Sequence, residues 1–214
     1  MSRILIIGGH GKVALRLAPI LAERSDEPVA VIRNPAHSDD VAAAGATPLV
    51  ADVESLDTDA LAELFSGHDA IVWSAGAGGG DPQRTYAVDR DAAIRSMDAA
   101  SRAGVSRYVM VSYLGARTDH GVPEDSSFFA YAEAKAAADE HLRATDLDWT
   151  VLAPGPLTLD EPTGLIEVAE PGDGRVSRAD VAAVAAAALA DDSTIRRTIA
   201  FGNGTVPIVD AIRG

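Results

Sequence analysis

Apolar and polar positions fall into alternating blocks along the chain, and the blocks read as strands and helices in turn. Arg3–Ile7 is a short run of isoleucine and leucine, of the kind that fills a strand buried on both faces. A glycine turn follows, and then Val13, Leu17, Ile20 and Leu21 recur at helical spacing. Further strands are predicted over Pro28–Arg33, which Asn34-Pro35 breaks, and over Thr47–Ala51, Ala70–Trp73, Tyr108–Ser112, Trp149–Leu152 and Thr198–Phe201. Between them the pattern predicts helices over Asp39–Ala44, Asp59–Phe65, Phe129–Thr145 and Arg178–Ala190. Another helix starts at Asp81-Pro82, an N-cap with proline at the first helical position, runs to about Arg102 and ends at Gly104.

Strands alternating with helices in this way predict an α/β fold. The expected form is a single Rossmann-type doubly wound parallel sheet of about seven strands, with helices on both faces. No repeat, linker or charge block divides residues 1–214, so one domain is expected. Past Pro154-Gly155-Pro156 the pattern loosens, and residues 156–214 are expected to form a small substrate-side region.

Composition removes several function classes. With 47% apolar and 23% charged residues, the chain is neither disordered nor of low complexity. The absence of cysteine excludes disulfides, iron–sulfur clusters and thiolate zinc sites. A net charge of −14 argues against nucleic acid or an anionic membrane as partner, since phosphates call for clustered Lys and Arg. The five histidines show no metal-ligand spacing, so no metal is expected. The apolar run at Ile4–Ile7 stops too soon for a signal-peptide core, and Val181–Ala190 is too short to span a bilayer. A cytoplasmic monomer or homodimer acting on a small molecule is the resulting expectation.

The chemistry-bearing signals lie at strand ends. Gly8-Gly9-His10-Gly11-Lys12-Val13-Ala14 follows the first strand and opens the first helix. This is the context in which a glycine turn lets a pyrophosphate approach the backbone, with the small Ala14 allowing close helix–strand packing. The second strand ends in Arg33-Asn34 with no carboxylate, which favours the 2′-phosphate of NADP over the 2′-hydroxyl of NAD, NAD being the alternative. Tyr131 and Lys135 stand one helical turn apart, an arrangement in which the ammonium is expected to favour the phenolate and make the tyrosine a usable acid or base. Only two lysines, Lys12 and Lys135, occur in the whole chain, and both fall inside these motifs. Ser112 ends the preceding strand, where doubly wound sheets place their ligands.

The glycine turn, Ser112 and Tyr131-x-x-x-Lys135 together resemble a short-chain dehydrogenase/reductase, and more specifically the atypical, NAD-dependent epimerase/dehydratase-like members of that superfamily. Val109-Met110-Val111-Ser112, Leu152-Ala153-Pro154-Gly155-Pro156 and Val176-Ser177-Arg178-Ala179-Asp180-Val181-Ala182 extend the resemblance over nearly the whole chain. It implies that Tyr131 is the acid/base, that Lys135 tunes it and positions the nicotinamide ribose, and that Ser112 polarises the substrate oxygen. It further implies a cofactor contact to adenine at Asp52-Val53, a cofactor-lining loop at Ser74-Ala75-Gly76, and contacts at Pro154-Gly155.

Three departures bear on activity. Asp89 stands where the family has an active-site asparagine, and an ionised carboxylate cannot donate the amide hydrogen bond; pairing with Arg90 or Arg95 on the helix surface is the alternative role. Ala153 replaces an arginine before Pro-Gly. The 58 residues after Pro156 are fewer than a sugar-nucleotide epimerase uses to hold its substrate. The reading favoured is an NAD(P)-dependent oxidoreductase acting on a small carbonyl or alcohol. A non-catalytic dinucleotide sensor or regulator is the alternative, and a sugar-nucleotide epimerase or dehydratase is disfavoured on size. Gly76–Gly80 is expected to be either a flap near the cofactor or a flexible surface loop, and Arg117–Ser127 a substrate-gating loop.

Overall fold

The computed structural model describes residues 1–78, 80–168 and 174–214. Gly79 of the expected flap, and residues 169–173 of the expected substrate-side region, lie outside the described residues.

Seven strands form the parallel part of one sheet, and each coincides with a predicted strand to within a few residues. They are β1 (Arg3–Ile7), β2 (Glu27–Ile32), β3 (Thr47–Val50), β4 (Ala70–Trp73), β5 (Arg107–Val111), β6 (Asp148–Pro154) and β10 (Arg197–Asn203). Their order across the sheet is β3-β2-β1-β4-β5-β6-β10, all parallel. The sheet then continues antiparallel through β8 (Leu165–Val168) to β11 (Val206–Pro207), giving nine strands among the described residues. The two-residue strands β7 (Leu157–Thr158) and β9 (Val176–Ser177) pair separately.

Strand alternation divides the core in two. Ile4 and Ile6 of β1 face one side with Val72 and Val109, packing against α1 (Ala14–Glu23) and α7 (Arg178–Ala190). Leu5 and Ile7 face the other side with Ile71, Trp73, Tyr108 and Met110, packing against α3 (Thr58–Phe65), α5 (Ala93–Ala103) and α6 (Phe129–Ala144). A strand flanked by helices on both faces can use apolar residues at every position, which is why these runs show no polar alternation. Each fully buried Ile or Leu contributes about 1.5–3 kcal/mol.

The remaining helices are α2 (Ser38–Ala43), α4 (Pro82–Thr85) and α8 (Ile208–Ala211). Asp81 caps α4 as predicted, accepting from the Gln83 and Arg84 amides. From there the chain passes through a π-helical stretch, Tyr86–Ala92, into α5, which stops at Gly104 with φ +74°. Among the described residues no helix is long and apolar enough to cross a membrane.

Candidate active site

Because β1 to β6 are parallel, their C-terminal ends share one edge, and the sheet order reverses there between β1 and β4. Two adjoining clefts and one larger cavity open along this edge. The first cleft, of about 270 Å³, is lined by Gly8, Gly9, His10, Gly11, Arg33, Asn34 and Ser74–Gly76 among others. The second, of about 170 Å³, shares Gly8, Arg33 and Gly76 with it and adds Asp52 and Val53. The cavity, of about 490 Å³, lies at the ends of β5 and β6 and is lined by Ser112, Tyr131, Pro154 and Gly155 together with aromatic and aliphatic side chains.

The glycines are required by crowding. Gly8 has φ +84°, and a Cβ there would stand 2.7 Å from the Ala75 backbone. A Cβ at Gly9 would stand 2.6 Å from Ala30 Cβ, and one at Gly11 2.9 Å from the Gly8 carbonyl oxygen. The turn closes through the Gly11 amide donating to Gly8 O at 2.8 Å, and α1 starts three residues later. Backbone therefore forms the floor of the cleft, close to the start of α1, and leaves room for a pyrophosphate. Lys12 and Val13 complete the turn but do not line the cleft; Val13 is buried in the core. The His10 ring stacks on His37 at 3.7 Å and its Nε2 pairs with Asp40 at 2.9 Å, so two histidines that sequence spacing left apart share the cleft wall. No group of three or more metal-ligating side chains occurs among the described residues.

At the far end of the second cleft, Arg33 Nη1 lies 3.6 Å from Glu54 Oε2, and Arg84 Nε lies 3.7 Å from the same oxygen. Sequence reasoning found Arg33 but neither Glu54 nor Arg84, which reach the site from separate loops and helices. A carboxylate thus stands beside the strand end that the sequence left without one.

Beneath the cavity, α6 presents Tyr131, Lys135 and Asp139 at successive helical turns. Ser112 Oγ donates to Asp139 Oδ2 at 2.5 Å, and both residues are buried. Lys135 is fully buried and its Nζ donates to Val111 O at 2.9 Å and toward Met110 Sδ at 3.3 Å. Burial holds the Lys135 ammonium below its usual range, against the opposing pull of Asp139 and Asp89. Asp139 was not singled out in the sequence, although its spacing of four from Lys135 was a usable signal.

Two expectations are corrected. The Tyr131 phenol is pushed up from its ordinary value, first by burial and then by the charges of Asp89, Tyr113 and Asp139, so it is held as the protonated phenol and not drawn toward phenolate. Asp89 does not pair with Arg90 or Arg95. Arg90 instead pairs with Asp91, and Arg95 donates to the Glu54 and Leu56 carbonyls. The π-helical stretch turns Asp89 inward, where it is buried and its Oδ2 accepts the Ala77 amide at 2.9 Å. Burial raises its carboxyl, partly offset by that amide and by Lys135 and Arg84. At Gly155 the need for glycine is steric, since a Cβ would overlap the Gly174 carbonyl.

Glycine cleft and cavity together define a nicotinamide-dinucleotide-binding protein, and the comparisons agree. The chain belongs to the NAD(P)H-binding family, whose model matches residues 8–192. Its relatives are epimerase/dehydratase-like and atypical short-chain dehydrogenase/reductase proteins. YhfK of Bacillus subtilis (strain 168), named an uncharacterized sugar epimerase, is 32% identical, with 99% of each chain covered. A Bacillus halodurans protein assigned as an NAD-dependent epimerase/dehydratase superposes with a TM-score of 0.90 at 32% identity, over 99% of each chain. The oxidoreductase ylbE of Lactococcus lactis gives 0.87 at 28% identity, over 98% of this chain and 94% of that one.

Proposed function

We propose that the protein is an NADP-dependent oxidoreductase that reduces a small carbonyl compound, with Tyr131 as proton donor. The observation that carries the reading is the meeting of Tyr131 and Ser112 in one cavity, on the same sheet edge as the glycine clefts.

The cradle whose glycines admit no Cβ fits a dinucleotide pyrophosphate over Gly8–Val13. Asp52 and Val53 would flank the adenine, Arg33 and Asn34 the 2′-phosphate, and Ser74–Gly76, Pro154 and Gly155 the nicotinamide half. When bound, a reduced nicotinamide supplies a hydride to the carbonyl carbon. Tyr131, held protonated by its surroundings, gives its proton to the carbonyl oxygen as the alcohol forms, and regains one from solvent. Ser112, whose hydroxyl proton goes to Asp139 in the open cavity, turns that proton to the substrate oxygen when substrate binds. Lys135 offsets the two carboxyls that flank it, Asp89 and Asp139.

NADP is preferred in this reading because Arg33 and Arg84 together outweigh Glu54 at the adenosine end. The name of YhfK points to sugars. Here the cavity walls are mainly aromatic and aliphatic, which suits an apolar carbonyl compound better than a polyhydroxylated ring.

The test is NADPH consumption against a panel of aldehydes and ketones. Tyr131→Phe should keep NADPH affinity within about twofold and lose turnover by about 10²–10⁴. Turnover unchanged in that variant would overturn the mechanism. So would an unmodified protein that binds NADPH yet reduces nothing, the behaviour of a sensor.

A further inference from the structure

The cavity contains one cation whose donors are incompletely used. Arg178, at the first position of α7, lines it, and none of the described residues that line the cavity is Asp or Glu. Its Nη1 donates to the carbonyls of Leu157 and Thr158, each at 2.9 Å. That clamp holds the guanidinium by one corner and leaves the Nε and Nη2 donors, the side-on edge that matches a carboxylate or phosphate. Among the described residues no carboxylate lies within ion-pair distance of Arg178. The nearest acid in sequence, Asp180, is committed elsewhere: it accepts from the Thr163 and Gly164 amides and from Ser177 Oγ. Among the described residues Arg178 therefore lines the cavity without a carboxylate partner, and its unused donors are available to an anionic ligand.

Much of the remaining lining is aromatic. Tyr113, Phe128 and Tyr131 form a three-ring cluster with centroids 5.2–5.4 Å apart, and Phe128 is partly exposed at the rim. An apolar wall that includes the proton donor, with a single guanidinium also in the lining, describes the two ends of a molecule.

We infer that the substrate carries an oxyanion, carboxylate or phosphate, on an apolar and preferably aromatic body, and that Arg178 is its anchor. This rests on the oxidoreductase reading and names the substrate class for the same site. The cavity's cation is Arg178. A purely structural role, a staple between β7 and α7, is the competing account.

Isosteric probes separate the two. Benzoate and its neutral analogue benzamide are titrated by calorimetry into the full-length protein saturated with NADP⁺, and phenyl phosphate serves as the second anion. One or two charge-assisted hydrogen bonds predict that benzoate binds about ten- to hundredfold more tightly than benzamide. Arg178→Met should erase that gap while leaving benzamide affinity within about twofold. Arg178→Lys, which keeps the charge without the fork, should retain part of it. A merely structural arginine predicts that both probes weaken together, or that no gap exists at the start; either result overturns the inference. The same holds if neither anion binds while NADP⁺ does. Should Arg178→Met fail to fold, the unmodified protein's benzoate-to-benzamide ratio, and its collapse at 1 M salt, still decide the matter. Failure of NADP⁺ itself to bind strikes the dinucleotide reading instead, and the two probes then compared without NADP⁺ judge the anion site separately.

Discussion

Gly8 and Gly104 both adopt left-handed backbone, with φ +84° and +74°, but only Gly8 is crowded. Alanine at either position meets the left-handed penalty of about 1–2 kcal/mol. At Gly104 nothing lies within 4 Å of the added methyl, so the cost should end there. At Gly8 the methyl would stand 2.7 Å from Ala75 N and Cα and 2.9 Å from Ser74 C, all backbone atoms that cannot swing aside. Overpacking of this kind adds about 1–3 kcal/mol, for a total of about 2–5 kcal/mol. The displaced residues, Ser74 and Ala75, line the first cleft, so Gly8→Ala should also weaken NADP⁺ binding at least tenfold. Gly104 lies before β5 at the opposite sheet edge, and its alanine variant should bind NADP⁺ normally. Urea unfolding followed by the fluorescence of Trp73 and Trp149, both buried, gives the stabilities. Equal destabilisation by the two substitutions, or equal loss of affinity, would refute the claim that the turn is shaped by contact with the loop after β4.

Cofactor choice gives a second prediction: Arg33→Ala should cut the preference for NADP over NAD about ten- to hundredfold, whereas Glu54→Gln, which frees both arginines, should increase it. Calorimetric titrations in which Glu54→Gln leaves the preference unchanged or lowers it would show that Glu54 is not the competing anion. His68 gives a third prediction. Burial holds it below its ordinary value of 6.5, so its contribution to stability is present above pH 6.5 and is lost as the pH falls from there through its folded value. Urea midpoints of His68→Gln should therefore fall less than those of the unmodified protein between pH 7 and pH 5. Matching slopes would show that His68 titrates alike in the folded and unfolded chain.

The parallel sheet was legible because helices on both faces make its strands short continuous apolar runs, as in Arg3–Ile7 and Ala70–Trp73. β7, β9 and β11 were not, since two residues cannot display a period. The glycine turn and the Ser112, Tyr131 and Lys135 set could be placed because each sits at a strand end or at fixed helical spacing. Asp89 was misplaced on the helix surface because a π-helical stretch shifts the face that a residue presents, and a 3.6-residue period cannot anticipate it. Glu54 and Arg84 meet their site only through tertiary folding, with no local pattern to mark them, whereas Arg178 lies in a stretch that carries the resemblance but implies no contact to the cavity. The direction of the Tyr131 shift was missed for a related reason. Spacing puts an ammonium nearby but says nothing of the burial and the carboxyls of Asp89 and Asp139 that oppose it.

The central claim is that a dinucleotide lies along the C-terminal sheet edge and ends at the cavity holding Tyr131. A crystal structure of the protein with NADP⁺ tests it most directly. The account predicts the pyrophosphate over Gly8–Val13, the 2′-phosphate beside Arg33, and the nicotinamide at the mouth of the Ser112 and Tyr131 cavity. A dinucleotide bound elsewhere, or one whose nicotinamide points away from that cavity, would contradict it.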